Sequence, residues 1–189
     1  MSPAMSNRYL WHCDGMNPFA TPLAITGNGL LLRDFTEDDL PAMIDLFDDP
    51  DVALRTPIVS PFDLPAAHDY LATMRRTRAE ENRLHLAITR PGEDVPLGMV
   101  FLRPALCMVG YVVGKAHRRQ GLAVRAGQVI TEFALRTVGL PHVLLEIEAE
   151  NLASVAVATA LGARLSDADP VEVESKGRSL RLDTWIIEP

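Results

Sequence analysis

The chain has 189 residues, 48% hydrophobic and 23% charged, with a formal net charge of −7. That length suits one domain with a substantial core and no staples, and no window approaches the ~18 apolar residues of a membrane span. The acidic balance argues against non-specific nucleic-acid binding. Met1 to Asn17 lacks the apolar segment of a secretory signal, and Cys13 and Cys107 form no C-x-x-C, so a cytoplasmic setting is expected.

Residues 1–28 read as an irregular N-terminal arm with Pro3, Gly15 and Pro18, followed by a single domain over 29–189. After the Asn28-Gly29 turn signal, Leu30 to Phe35 reads as a strand. Thr36 then reads as an N-cap, with Leu40, Met43, Ile44 and Phe47 at helical spacing, and Asp49-Pro50 is expected to stop that helix. A second helix is expected from about Pro65 to Glu80. Strands follow at Leu84–Thr89, Pro96–Leu102 and Ala105–Val113, an antiparallel meander by spacing.

A long helix opens after Gly121 and ends at Gly139, with Pro141 beyond. Val143 to Ala149 alternates apolar and acidic residues, a half-exposed strand. A helix from about Leu152 to Leu161 closes at Gly162. A hairpin joins Val171–Glu174 to Leu180–Ile187 across Lys176-Gly177. The expected fold is α/β (α+β): a mixed, mostly antiparallel sheet of about seven strands flanked by about four helices.

The stretch Arg118-Arg119-Gln120-Gly121-Leu122-Ala123 stands where a strand turns into a helix. Helix-start N–H groups and the helix dipole both favour negative charge there, and a Cβ at 121 would hold a diphosphate away from the backbone. From Val95 through Thr131 no carboxylate occurs, while Arg103, Lys115, Arg118, Arg119 and Arg125 all do. Such a local basic patch on an acidic chain suits a small polyanion. The pattern alone is short enough to recur by chance.

Several motifs in order carry a more specific resemblance. They are Leu30-Leu31-Leu32-Arg33-Asp34-Phe35, Asp49-Pro50-Asp51-Val52, Gly110-Tyr111-Val112-Val113-Gly114, the Arg118–Ala123 stretch, Glu150-Asn151-Leu152-Ala153-Ser154 and Leu161-Gly162. Over roughly Leu30 to Ile187 the chain resembles the GNAT superfamily of acyl-CoA-dependent N-acyltransferases, and within it the ribosomal-protein N-acetyltransferase (RimJ/RimL-like) branch.

The resemblance implies that backbone N–H groups of Arg119, Gln120, Gly121, Leu122, Ala123 and Val124, in the loop that Arg118 opens, bind the diphosphate of acetyl-CoA or another acyl-CoA. It implies that the strand ending Tyr111-Val112-Val113 holds the pantetheine arm, that a Val112 or Val113 N–H polarises the thioester carbonyl, and that Asn151 bonds the pantetheine or a water. Lys115 and Arg125 are lesser phosphate candidates. Glu146 matches the general base of some members. The tyrosine that many members place seven residues after the asparagine is Ala158 here, and Ser154 matches the serine used near the thiolate in the RimJ/RimL branch.

The residues alone leave alternatives open. Glu146, Glu148 and Glu150 share a strand face, either a carboxylate cluster in the cleft or plain solvent. Ser154 is either a donor to the thiolate or an ordinary serine in a first helical turn. His85 is either a cleft base or a structural histidine. Cys107 reads as a buried strand thiol. The histidines (His12, His68, His85, His117, His142) show no zinc-ligand spacing, and no metal is expected.

The reaction expected is transfer of an acyl group, acetyl first, to a primary amine by direct attack in a ternary complex. The acceptor is a protein N-terminus or a small-molecule amine, with neither nucleic acid nor membrane as partner and a homodimer as the family-like state. The competing readings are a longer donor such as succinyl-CoA, for which Ala158 would leave room, a non-catalytic acyl-CoA-binding regulatory module, and a ligand-free structural domain.

Overall fold

The computed structural model describes residues 17–189; of the expected arm, residues 1–16, with Cys13 and His12, lie outside the described residues. Asn28 and Gly29 both take positive φ (50° and 69°), the geometry of a tight hairpin turn. That turn pairs β1 (Ala24–Gly27) with β2 (Leu30–Arg33). β1 was not expected from sequence, because no residue of this strand is buried and its pattern carries no apolar face.

Thr36 starts the next segment, its N–H donating to the Asp39 carboxylate (2.8 Å). After one 3-10 turn comes α1 (Leu40–Phe47). Asp49-Pro50 does end α1, but it also begins α2 (Pro50–Arg55), which the sequence reading missed. The Asp49 carboxylate caps the Asp51 N–H (2.7 Å), and proline is tolerated at a first helical position because that N–H has no helical partner anyway. α3 spans Leu64–Ala79, capped by Asp63.

The expected meander is present as β3 (Leu84–Arg90), β4 (Glu93–Arg103) and β5 (Met108–Val113). α4 (Leu122–Glu132) runs into a π turn over Phe133–Thr137 and ends at Gly139, φ 76°, with Leu140 N–H closing onto the Ala134 carbonyl (2.9 Å). β6 (Val143–Glu148), α5 (Leu152–Ala160), the short β7 (Arg164–Leu165), β8 (Val171–Ser175) and β9 (Arg178–Ile187) complete the chain. The sheet order is β1-β2-β3-β4-β5-β6-β9-β7, with β8 also beside β9.

Each sheet face buries its own apolar cluster. One holds Leu86, Val100, Val109, Leu145 and Ile147 against α4 residues such as Ile130. The other holds Ala87, Met99 and Val112 against Phe47, Phe62 and Leu71 of the α1–α3 side. A fully buried leucine of this kind contributes about 1.5–3 kcal/mol.

All neighbouring strands pair antiparallel except β5 and β6, which run parallel and share one register position, Met108↔Leu144. The Leu144 N–H donates to the Cys107 carbonyl (2.7 Å). Beyond that point the two strands part. Cys107 itself is a left-handed turn residue (φ 51°) rather than a strand thiol, and burial pushes its thiol pKa up.

Candidate active site

The parted strands open a cleft of about 1350 Å³. It is bordered by β5, β6, the 118–124 loop, α2, α3 and the start of α5. That exceeds the roughly 300–1,000 Å³ of an ordinary small-ligand pocket. The volume suits a large ligand together with a second reactant.

The cleft wall is unpaired backbone. Gly114 N–H donates to the Leu97 carbonyl (3.0 Å), which sets the alternating phase of the β4–β5 ladder. Residues 108, 110 and 112 therefore bond to β4, while the main chain of Tyr111 and Val113 faces the gap. Of the two amides expected to polarise a carbonyl, Val113 is the one turned into the cleft. Val112 spends its N–H on β4 and its side chain in the core.

At the end of β5 the chain turns through Lys115–His117 into the loop. Arg118 is fully engaged there. Its guanidinium bonds Asp51 (2.8 Å), Asp49 (3.0 Å) and the Val113 carbonyl (3.3 Å), tying the loop to the start of α2. Burial opposes ionisation of Asp49, but the Asp51 N–H and the Arg118 charge outweigh it and hold its carboxyl below the usual range.

Gly121 is the N-cap of α4 at φ 69°, and a Cβ there would meet nothing within 4 Å. The conformation favours glycine, and the space beside it is open. Among the described residues, no group accepts a hydrogen bond from the N–H groups of Arg119 through Val124; the first bond of the helix is Arg125 N–H to the Gly121 carbonyl (3.0 Å). The result is a row of free donors at a helix start. The Gln120 side chain accepts from Arg90 (3.2 Å), and Arg125 reaches back to the Asn28 carbonyl (3.3 Å); neither Arg125 nor the exposed Lys115 is among the residues that border the cleft.

On β6, Glu146 and Glu148 lie on the same sheet face as Met108 and Gly110. Their surroundings differ. Glu148 is held by Arg55 (3.4 Å) and Arg178 (3.7 Å). Glu146 borders the cleft with no ion pair among the described residues, and Glu150 borders it from the turn beyond.

Asn151 caps α5, its Oδ1 accepting from the Ser154 N–H (3.2 Å), and both side chains border the cleft. Ala158 is fully buried in the core and does not border it. The small residue there therefore adds no room to the cleft itself.

Tyr111 was read from sequence only as part of the strand. Its side chain lies on the face opposite Glu146, towards α5, with its hydroxyl buried and unpartnered. Burial pushes the phenol pKa up, with Ser154 beside it acting in the opposite sense. Strand alternation alone would have shown which face Tyr111 takes; what stands across from it required the fold.

His85 is 6% exposed, packed between Tyr70 and Phe101, with both ring nitrogens unpartnered. Burial and, secondarily, Arg83 lower its pKa to about 3, so it stays neutral at pH 7 and does not border the cleft as a base. Among the described residues no three His, Cys, Asp or Glu side chains cluster as metal ligands, and no helix is long and apolar enough to cross a membrane.

A family model described as acetyltransferase (GNAT) domain matches residues 29–164. No protein of curated function matches the chain. Among solved structures, a Vibrio cholerae protein provisionally described as a ribosomal-protein-serine acetyltransferase superposes with a TM-score of 0.76 at 19% identity, over 88% of this chain and 98% of its own. The microcin C7 self-immunity acetyltransferase MccE, solved with acetyl-CoA and AMP, gives 0.72 at 14% identity over 86% and 93%. RimL, a ribosomal L7/L12 α-N-protein acetyltransferase solved with coenzyme A, gives 0.70 at 16% identity over 88% and 98%. At these identities the shared property is the fold.

Proposed function

The chain belongs to the acetyltransferase (GNAT) family, and from that premise we propose that it moves an acetyl group from acetyl-CoA to a primary amine by direct attack, with Glu146 as base and Tyr111 with Ser154 as proton donors. The observation that carries this reading is the gap between β5 and β6, which runs from the free amides of the Gly121 loop to Glu146 on one side and Tyr111 on the other.

The residues present fit coenzyme A. The amides of residues 119–124 and the open space at Gly121 suit its diphosphate, and the main chain of Tyr111 together with the free N–H of Val113 suits the amide-bearing pantetheine arm. The amide N–H groups of Asn151 supply a further donor. When bound, acetyl-CoA supplies an acyl carbon activated as a thioester.

An amine is protonated at pH 7 and has no lone pair to attack with. Glu146, unpaired and facing the cleft, accepts that proton. The Val113 N–H is a fixed donor for a carbonyl oxygen on which negative charge develops. The departing sulfur takes a proton from the Tyr111 hydroxyl, which the cleft otherwise leaves without a partner, with Ser154 sharing the load. Starting from the ammonium, the nitrogen loses two protons, one to Glu146 before attack and, once Glu146 has passed it to solvent, a second after the C–N bond forms. Tyr111 gives one to sulfur as the C–S bond breaks and regains one from solvent, so ammonium and thioester yield amide, thiol and one released proton.

A protein N-terminal amine is the acceptor that the likeness to RimL favours, and the donor found with MccE favours acetyl over a longer acyl group. The test is thiol release from acetyl-CoA against a panel of peptide and small-molecule amines, alongside thermal stabilisation by acetyl-CoA and succinyl-CoA. Release with at least one amine supports the proposal. Stabilisation by acyl-CoA without release with any amine would instead favour a binding module.

A further inference from the structure

The β3–β4 ladder pairs Leu84 with Leu102 and His85 with Phe101. One step further out, that register sets Arg83 directly across from Arg103, and Met108 continues the row on β5. All three lie on the sheet face that carries Glu146, and all three border the cleft. The Arg83 guanidinium stacks on the Phe101 ring, 4.9 Å from its centroid. That ring occupies the space a Cβ at Gly110 would need (2.4 Å), so glycine at 110 lets the aromatic platform lie over β5.

Two like charges facing each other across a ladder repel. Neither arginine has an ion pair or side-chain hydrogen bond to any described residue, and the Arg103 Nε is buried without a partner. The contrast within the same cleft is sharp: Arg55 and Arg118 are each tied to carboxylates. Burial, and then the charge of Arg103, depress the Arg83 pKa, with the Tyr70 phenol, and no carboxylate of the described residues, acting in the opposite sense. Charged groups held half-buried in this state await a counter-charge from outside the described fold.

We propose that Arg83 and Arg103 form an oxyanion-binding subsite for the acceptor, so that the amine acetylated here also carries a carboxylate or phosphate. The proposal rests on the acetyltransferase reading for its role in turnover. The guanidinium forks grip the oxyanion, Phe101 and Met108 contact the carbon skeleton between, and the amine end lies towards Glu146 on the same face. Two forks suit the planar, bidentate geometry of oxyanions better than a neutral group.

The test uses matched acceptors that differ only in charge: glutamate-bearing and glutamine-bearing dipeptides, and O-phosphoethanolamine against ethanolamine. The wild-type protein is expected to favour the anionic member by about tenfold or more in kcat/KM. Arg83→Gln and Arg103→Gln should each lower that value about 10–100-fold for the anionic member and leave its neutral partner and the KM for acetyl-CoA within about twofold. Arg103→Lys should retain part of the preference. Whether the dipeptide or the phosphoamine responds separates a carboxylate from a phosphate ligand.

A binding measurement keeps this subsite distinguishable from the reaction itself. With coenzyme A saturating its own site, glutarate or inorganic phosphate should bind to the wild-type protein and lose about tenfold or more in affinity in each glutamine variant. Such binding without turnover of any amine would sink the acetyltransferase reading and keep the subsite. Acetylation with no charge preference, or glutamine variants that bind and discriminate like wild type, would overturn the subsite.

Discussion

Tyr111 and Glu146 stand on opposite faces of the sheet, on two neighbouring strands that part beyond Met108 and Leu144. In the proposed reaction Glu146 is the proton acceptor and Tyr111 the proton donor, one on each side of the gap through which the amine meets the thioester. The two strands need no special side chains to hold it, only the single shared register position.

Glu146→Gln keeps the shape and removes the basic oxygen. Its kcat should fall about 10²–10⁴-fold, with the KM for acetyl-CoA little changed. The loss should shrink above the acceptor's own pKa, where the amine is already neutral. A pH–rate profile of the variant is the check, and unchanged turnover at every pH would remove Glu146 from the mechanism.

Tyr111→Phe preserves the packing against α5 and deletes the unpartnered hydroxyl. A fall in kcat of about 10–100-fold is expected, a smaller one for Ser154→Ala, and less than the product of the two in the double variant, because they serve one proton. Additive losses would show that the two act separately. A Tyr111→Phe enzyme with wild-type kcat would leave the donor elsewhere.

Much of this site was legible in the sequence. The Gly121 loop announced itself because glycine at a strand–helix junction serves a local backbone need, φ 69°, that is the same in any fold. Asn151 likewise sits at a helix start whatever surrounds it. The remainder depends on pairings between distant residues. α2 was hidden because Asp49-Pro50 ends one helix and starts another with the same two residues. The facing positions of Arg83 and Arg103 follow only from the β3–β4 register, and the free amide of Val113 rather than Val112 only from the phase of the β4–β5 ladder. Of the basic residues of the carboxylate-free stretch, Arg125 reaches back to the Asn28 carbonyl, a long-range contact that no linear pattern records.

His85 gives the fold a defined acid weakness. The unfolded chain protonates this imidazole near 6.5, the folded protein only at about 3. Between those values the unfolded state binds more protons, so stability falls as pH falls, by at most about 1.4 kcal/mol per pH unit from this group. His85→Phe should flatten that limb. Urea unfolding at pH 7 and pH 5 compares the slopes, and an equal slope in both proteins would contradict the assignment.

Gly121→Ala places a Cβ in open space but at a left-handed φ. The expected cost is about 1 kcal/mol of stability, with weaker binding of coenzyme A from displaced amides. Calorimetric titration and thermal unfolding on the same samples separate the two effects, and unchanged affinity would mean that the loop does not touch the ligand.

The most direct measurement is the amide spectrum of isotope-labelled protein titrated with coenzyme A and, separately, with pantetheine, which lacks the diphosphate. Coenzyme A should move the amide resonances of Arg119 through Val124 together with those of Tyr111 and Val113, while pantetheine should move only the latter pair. Resonances of the loop that stay still at saturating coenzyme A would contradict the account at its root.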